Sequence, residues 1–240
     1  MMAKTKASAR PRGDVGRIRR FGGVPTGFFT DALTRLGLDG WMDGVFPAAA
    51  GDRVAGPAVT LRMAPGRGAD RSSANIYELI RTFDPGAVLV IETGGTNTSA
   101  FGENTAAHAQ VQGLVGIVTD GRCRDFAEIA ALAMPVFCCG PTVRLPNPLE
   151  LVAHNVPISC GGAQVRPGDL VVGDADGVVV VPKAYLQAVF DEVDDIAQLE
   201  KELEKAIKTR APIDLLQKYR PDARGGPWRD VLRFRTLRQG

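Results

Sequence analysis

Apolar residues recur along the chain with two different periods, and the changes of period mark its elements. Thr30 to Gly37, TDALTRLG, has helical spacing with Asp31 near its start and Gly37 as a stop. From Gly56 the segment GPAVTLRM alternates and carries Val and Thr, which predicts a strand. PGRGADRSS is a turn or loop. Asn75 to Thr82, NIYELIRT, returns to helical spacing and ends before Asp84-Pro85-Gly86, a turn signal. Two short continuous apolar runs follow, Ala87–Ile91 (AVLVI) and Leu114–Val118 (LVGIV), of the kind found in strands buried on both faces. Between them lie a Gly- and Thr-rich loop, ETGGTNTSAFG, and a helix from Glu103 to Gln112 closed by Gly113. The second run enters the turn Thr119-Asp120-Gly121. A helix over Asp125–Ala133 and a third strand, MPVFCC, complete the pattern.

Strand, loop, helix, strand, loop, helix, strand is an α/β rhythm with parallel pairing. Right-handed crossovers put both loops at the same end of the sheet, where ligands of open α/β sheets bind. The second half is richer in strand. LVVGDADGVVVVP predicts two strands joined at Asp176-Gly177, a hairpin signal. From Pro182 to Lys208 a long helix is expected, with Leu186, Val189, Val193, Ile196, Leu199, Leu203 and Ile207 as its apolar stripe.

Composition narrows the class. The 240 residues are 45% hydrophobic and 23% charged, the proportions of a soluble globular protein of one domain with appended ends. A net charge of +2 gives no ground for a nucleic-acid partner. Seven of the basic residues lie in Met1–Gly23 against one acid, Asp14, without apolar periodicity, so 1–23 reads as a flexible basic arm. The folded domain is placed at 24–210. The tail 211–240 is rich in Arg, Gly and Pro, and its Trp228, Val231, Leu232 and Phe234 suggest docking on something, such as a neighbouring subunit. No apolar run is long enough to cross a bilayer. Cys123, Cys138, Cys139 and Cys160 match no zinc spacing, and free thiols in a reducing, cytoplasmic setting are expected.

The candidate chemistry lies in the two loops. Gly102 precedes a helix start, whose free amides carry partial positive charge and suit a carboxylate or phosphate. Asn104 and Thr105 can add side-chain bonds. An ordinary helix start is the alternative. In the second loop Arg124 offers a planar fork of donors for a carboxylate or keto oxygen, and Asp125 a hard oxygen ligand for magnesium or manganese. Glu103 can reach the same metal directly or through water. The alternative for Arg124-Asp125 is a local ion pair at a helix start, where Asp is a common cap. Asp120 reads as a turn residue. His108 lies within a helix and, like His154, is a weaker candidate. Nothing near Cys123 marks an activated thiolate, and Lys183, after Pro182, is poorly placed for an imine.

The run GENTAAHAQVQGLVGIVTDGRCRD, together with DALTRLG, GPAVTL, PGAVLVI and V-x-PGDLVVGDADGVVVVP, resembles the RraA-like family. That family includes the 4-hydroxy-4-methyl-2-oxoglutarate aldolases and the regulator of ribonuclease E activity. The resemblance runs from about Thr26 to Lys208. It implies a β/β/α sandwich similar to the swivelling domains of phosphotransfer enzymes, assembled as a homotrimer or homohexamer. It implies a substrate loop at Gly102, Glu103, Asn104 and Thr105, a substrate-binding Arg124, a metal-binding Asp125 and a divalent cation, Mg²⁺ or Mn²⁺. A glutamate from a neighbouring subunit's C-terminal helix would complete the site, with Glu200 the best match and Glu202 and Glu204 close by. The implied activity is metal-dependent retro-aldol cleavage of a small 2-oxo acid to pyruvate, with oxaloacetate decarboxylation alongside. The alternatives are a non-catalytic, protein-binding regulator of an RNA-processing enzyme, or a lyase for another hydroxy acid. This chain departs from the family in its polar Asn104-Thr105, where many members carry apolar residues, and in Thr209-Arg210-Ala211, where a helix-ending Gly is common.

Overall fold

Ala87 to Ile91 have no exposed surface at all, so the centre of the molecule is a sheet covered on both faces. The computed structural model describes residues 18, 20–66, 75–145 and 149–219. Helix α1 (Thr26–Arg35) precedes two short strands, β1 (Trp41–Met42) and β2 (Phe46–Pro47), and the long β3 (Val54–Pro65). Three crossovers follow. α2 (Ile76–Ile80) leads to β4 (Val88–Glu92); β5 (Ser99–Phe101) and α3 (Glu103–Val111) lead to β6 (Gly116–Thr119); β7 (Arg122–Cys123) and α4 (Phe126–Ala130) lead to β8 (Val136–Cys138). The rest comprises β9 (Leu149–His154), β10 (Ile158–Cys160), β11 (Ala163–Val165), β12 (Leu170–Asp174), β13 (Gly177–Val181), α5 (Leu186–Lys208) and α6 (Ile213–Tyr219).

β3, β4, β6 and β8 are neighbours and parallel. β12 and β13 add an antiparallel half through β3. Among the described residues the sheet has the order β1-β13-β12-β3-β4-β6-β8-β2, with β9 also on β3. The parallel pairing expected from the first half of the chain is present, as is the expected β12–β13 hairpin, and their union through β3 makes one mixed sheet. The missing signal was β3, which pairs with β12 along Val54–Pro57 and with β9 along Leu61–Pro65. One strand with two partners on one side is invisible in a local pattern.

The sheet also curls. Phe137 of β8 packs against Gly173 of β12, where an added Cβ would lie 2.9 Å from the ring. The concave face holds Val54, Val90, Val118, Phe137, Ile158, Val165, Val171 and Val180, closed by the β10–β11 pair. Leu61, Ile80, Leu89, Ile91, Ile117 and Ile129 pack on the other face under α2, α3 and α4. A third cluster joins the outer side of β12 and β13 to α1 and α5 through Leu33, Val172, Val179, Val189, Val193 and Ile196.

Two features at the chain ends extend the body. Phe21, within the basic arm, is buried and stacked on Phe190 at 4.1 Å, and Arg20 pairs with Asp194 at 2.5 Å. α6, within the tail, packs on α5. Residues 1–17 and 220–240, including Trp228, Val231, Leu232 and Phe234, lie outside the described residues. No helix among the described residues is long and apolar enough to cross a membrane.

The predicted stripe of α5 holds through Ile196 but not at its end, where Ile207 is exposed and Ala206 is buried instead. A stripe repeating every 3.5 residues drifts by about 20° per heptad on a straight helix, so its last member leaves the seam. α1 starts four residues before the predicted Thr30. Its first amide, Thr26 N–H, donates to Asp174 Oδ2 at 2.9 Å and the Thr26 hydroxyl to Oδ1 at 2.7 Å. Asp174 also accepts from Asp176 N–H at 3.1 Å, which closes the β12–β13 hairpin. The predicted turn pair Asp176-Gly177 is shifted by one: Asp174 pairs with Gly177, so Ala175 and Asp176 are the turn residues, and neither has the positive φ of a mirror-image turn.

Burial works to raise the Asp174 pKa, but the hydrogen bonds from Thr26 and Asp176 and the nearby Arg53 outweigh it and hold the carboxyl below its ordinary value. Its contribution is therefore complete above the unfolded-state pKa and is lost as pH falls through the folded-state value. Asp174→Asn is expected to cost about 2 kcal/mol at neutral pH. In urea unfolding, the gap between variant and wild type should narrow as the solution is acidified. A gap independent of pH would contradict this.

Candidate active site

The loops after β4 and β6 leave the sheet side by side, and one buried side chain ties them there. Asp120 Oδ1 accepts Thr93 N–H at 2.6 Å and the Thr93 hydroxyl at 2.8 Å. Asp120 was expected to be a turn residue, and it is a clamp between two strand ends. Beyond it the two segments pair again as a small parallel ladder, Ser99 with Arg122 and Phe101 with Cys123. Each strand then enters a helix: Gly102 caps α3 and Asp125 caps α4. The expected meeting of the loops is thus built by a second ladder whose strands are too short for a sequence pattern to show.

At the meeting point the backbones nearly touch. A Cβ on Gly102 would lie 2.3 Å from Asp125 Oδ2 and 3.0 Å from Arg124 Nε. A side chain at 102 would displace the Asp125 carboxylate and the Arg124 side chain, so glycine leaves both where they are. Arg124 N–H donates to Phe101 O at 3.3 Å. Asp125 adopts a left-handed conformation, φ 54° and ψ 44°, which Asp tolerates better than most residues. It stands at the cap position of α4 but makes no side-chain bond to that helix. Its carboxylate turns to α3 instead, where Oδ2 accepts Glu103 N–H at 3.3 Å and lies 3.5 Å from Arg124 Nε. Both side chains remain more than 40% exposed, at 46% and 41%.

This arrangement alters the anion-binding expectation. The first free amide of α3 is occupied by Asp125, and Thr105 N–H bonds back to Gly102 O at 3.1 Å. The Thr105 side chain is buried, Asn104 is exposed, and Glu103 is half-buried. A cavity of about 400 Å³ opens on the other side of the Arg-Asp pair, lined by Arg124, Asp125 and Phe126 and, opposite, by Pro141, Thr142 and Val143. Gly102 to Thr105 do not line it. The Pro141–Val143 wall was missed in the sequence. It follows β8, and a third parallel strand brings its own carboxyl end to the same edge, so the signal was available.

The remaining candidates fall elsewhere. His108 packs edge-on against Tyr77, with Nε2 3.2 Å from Tyr77 O, and joins α3 to α2. His154 pairs with Leu61 in β9. Lys183 starts the turn after β13, its N–H bonded to Asp169. The Cys123 thiol is buried and hydrogen-bonded to Cys138; the bond and burial both push its pKa up, so it is no thiolate nucleophile. Glu200 lies on α5, the layer packed on α1, and no bond or ion pair links it to Arg124 or Asp125 among the described residues. Glu204 pairs with Lys208 and Glu202 accepts from Gln198, which leaves Glu200 as the uncommitted carboxylate of the three. Among the described residues no group of three or more His, Cys, Asp or Glu side chains is arranged to hold a metal ion. One carboxylate with water as the remaining ligands is a set that Mg²⁺ accepts, and Asp125, exposed at the cavity wall, fits that role.

A family model described as RraA-like, Aldolase/RraA, matches residues 28–180. A protein of Halalkalibacterium halodurans, provisionally named a 4-hydroxy-4-methyl-2-oxoglutarate aldolase, is 37% identical over 180 residues, 75% of this chain and 82% of that protein. The crystal structure of Streptomyces coelicolor RraAS2, described as an unusual member of the RNase ES inhibitor RraA protein family, superposes with a TM-score of 0.75. It is 32% identical, and the match covers 82% of this chain and 99% of that one. An uncharacterized protein from Pseudomonas syringae pv. tomato gives 0.74 at 26% identity, over 85% and 97%.

The clamp can be tested apart from any activity. Asp120→Ala leaves the buried Thr93 amide without its acceptor and is expected to cost about 2 kcal/mol in urea unfolding. Thr93→Val, which loses only the hydroxyl bond, should cost about 1 kcal/mol. Equal and negligible losses would show that the strand ends hold without it.

Proposed function

The chain belongs to the RraA-like family, and on that premise we propose that it is a metal-dependent carbon–carbon lyase that cleaves 4-hydroxy-4-methyl-2-oxoglutarate to two molecules of pyruvate and also decarboxylates oxaloacetate. The observation that carries the proposal is the Arg124-Asp125 pair, exposed at a cavity wall and held in position by Gly102. Arg124 is the donor for the oxo-acid end of the substrate. Cleavage removes the proton of the C4 hydroxyl, breaks the C3–C4 bond and leaves the electron pair as an enolate of pyruvate, which takes a proton at C3. The Arg124 guanidinium acts where that negative charge grows, the productive place for electrostatic help. Asp125 would hold the divalent cation, Mg²⁺ or Mn²⁺, and such an ion when bound polarises the oxo group as a Lewis acid. Glu103, or Glu200 of a neighbouring copy in a trimer or hexamer, is positioned by this reading as the proton acceptor. Gly102 to Thr105 adjoin the Arg124-Asp125 pair without lining the cavity, so in this reading the loop serves the substrate by placing that pair, with Asn104 exposed beside it.

A second reading is supported by the likeness to RraAS2. In it the chain binds an RNA-processing enzyme through its surface and does no chemistry. A lactate-dehydrogenase-coupled pyruvate assay separates the two. Pyruvate release from both substrates is expected with metal present and should stop with EDTA. Arg124→Ala should lower turnover on the order of 100-fold, about 3 kcal/mol. Unchanged release would end this mechanism, and inactivity on several 2-oxo acids in the presence of metal would favour the regulator. Gly102→Ala should reduce turnover on the order of 100-fold by displacing Asp125, with little change in thermal midpoint. A fully active Gly102→Ala enzyme would mean that the close approach does not matter.

A further inference from the structure

Arg122 stands two residues before Arg124 on the same extended segment. β7 ends at Cys123, and Arg124 continues its line by one more bond, N–H to Phe101 O at 3.3 Å, so alternation puts Arg122 and Arg124 on one side with the buried Cys123 between them. Two positions of a strand span about 7 Å at the backbone, and long arginine side chains starting there can reach the two carboxylates of one four- or five-carbon diacid. Arg122 is also planted. Its Nε donates to Asn97 Oδ1 at 3.2 Å and one terminal nitrogen to Pro141 O at 3.3 Å. Asn97 is held in turn, its carbonyl accepting the Thr142 hydroxyl at 3.2 Å. Pro141 and Thr142 are walls of the cavity that Arg124 lines.

Both partners of Arg122 are neutral, unlike the carboxylates that face Arg35, Arg53, Arg62 and Arg124. Among the described residues Arg122 forms no ion pair, and its bond to Pro141 O sets the guanidinium beside a residue of the cavity wall. Arginine held in one plane by two bonds is pre-organised for a carboxylate. The bland alternative is a clamp that ties the Asn97 loop to Pro141 and touches no ligand.

We propose that Arg122 receives the distal carboxylate of the substrate, so that the site selects 2-oxo diacids over 2-oxo monoacids. This rests on the oxo-acid reading of Arg124 for the orientation of the substrate, and it assigns Arg122 to specificity. Asn97 is then a positioning residue.

The test compares binding of 2-oxoglutarate and 2-oxobutyrate to the full chain by calorimetry in magnesium buffer, with wild type, Arg122→Gln and Arg122→Lys. Wild type is expected to prefer the diacid on the order of 10- to 100-fold, the range of one charge-assisted contact. In Arg122→Gln the ratio should fall to about one, and Arg122→Lys, which keeps the charge, should retain part of it. With oxaloacetate as substrate, Arg122→Gln should raise KM by a similar factor and change kcat much less. A wild type without preference, or with no binding of either acid, overturns the proposal. So does an Arg122→Gln protein that keeps the ratio or loses both ligands equally, the behaviour of a clamp. If no 2-oxo acid is turned over, the lyase reading fails while the binding ratios still decide Arg122.

Discussion

The carboxylate of Asp120 holds the carboxyl ends of two parallel strands together, and the candidate site is built outward from that contact. β4 and β6 finish with backbone groups that no further sheet strand can meet. Asp120 supplies an acceptor for Thr93 inside the protein, where an unpaired amide would be costly. With the strand ends held, β5 and β7 can pair. With β5 and β7 paired, Gly102 is pressed against Asp125, and two helix starts face one another. Each step narrows the freedom of the next, so side chains more than 40% exposed can still be well placed.

The same device recurs. Asp174 meets the first amide of α1, Asp125 the first amide of α3, and Asp169 the amides of Arg166 and Lys183. In each case a carboxylate at a strand end or loop satisfies donors of another segment. Asp125 differs in exposure. Its oxygen is shared between a helix amide and Arg124 at distances of 3.3 and 3.5 Å, both long for strong bonds. A carboxylate held loosely by two donors is easier to recruit to a cation than one buried like Asp120 or Asp174.

The cavity wall carries one charge of each sign, Arg124 and Asp125, and Arg122 adjoins it through Pro141 O. Phe126, Pro141 and Val143 supply apolar wall, where interactions between charges are less screened than in open water. Glu200 lies on α5 and is not among the residues of the cavity wall.

Much of this was legible in the residues themselves. The runs Ala87–Ile91 and Leu114–Val118 marked buried strands, the Gly-rich loops marked their ends, and GENT with DGRCRD marked the family. Periodicity is a local property and survives in the sequence. What it could not show was pairing at a distance: β3 sharing itself between β12 and β9, Thr26 capped by a residue 148 positions away, and Phe137 touching Gly173 across the curled sheet. The site divides in the same way. The sequence by itself named Gly102, Arg124 and Asp125 and the chemistry their groups allow. Only the tertiary structure decided that Asp125 sits on the α3 amide, that Gly102 lies beside it, and that Pro141–Val143 line the cavity with Arg124. The physical reason is that a side chain's chemistry is intrinsic to it, whereas its partners depend on which distant backbone folding brings within reach.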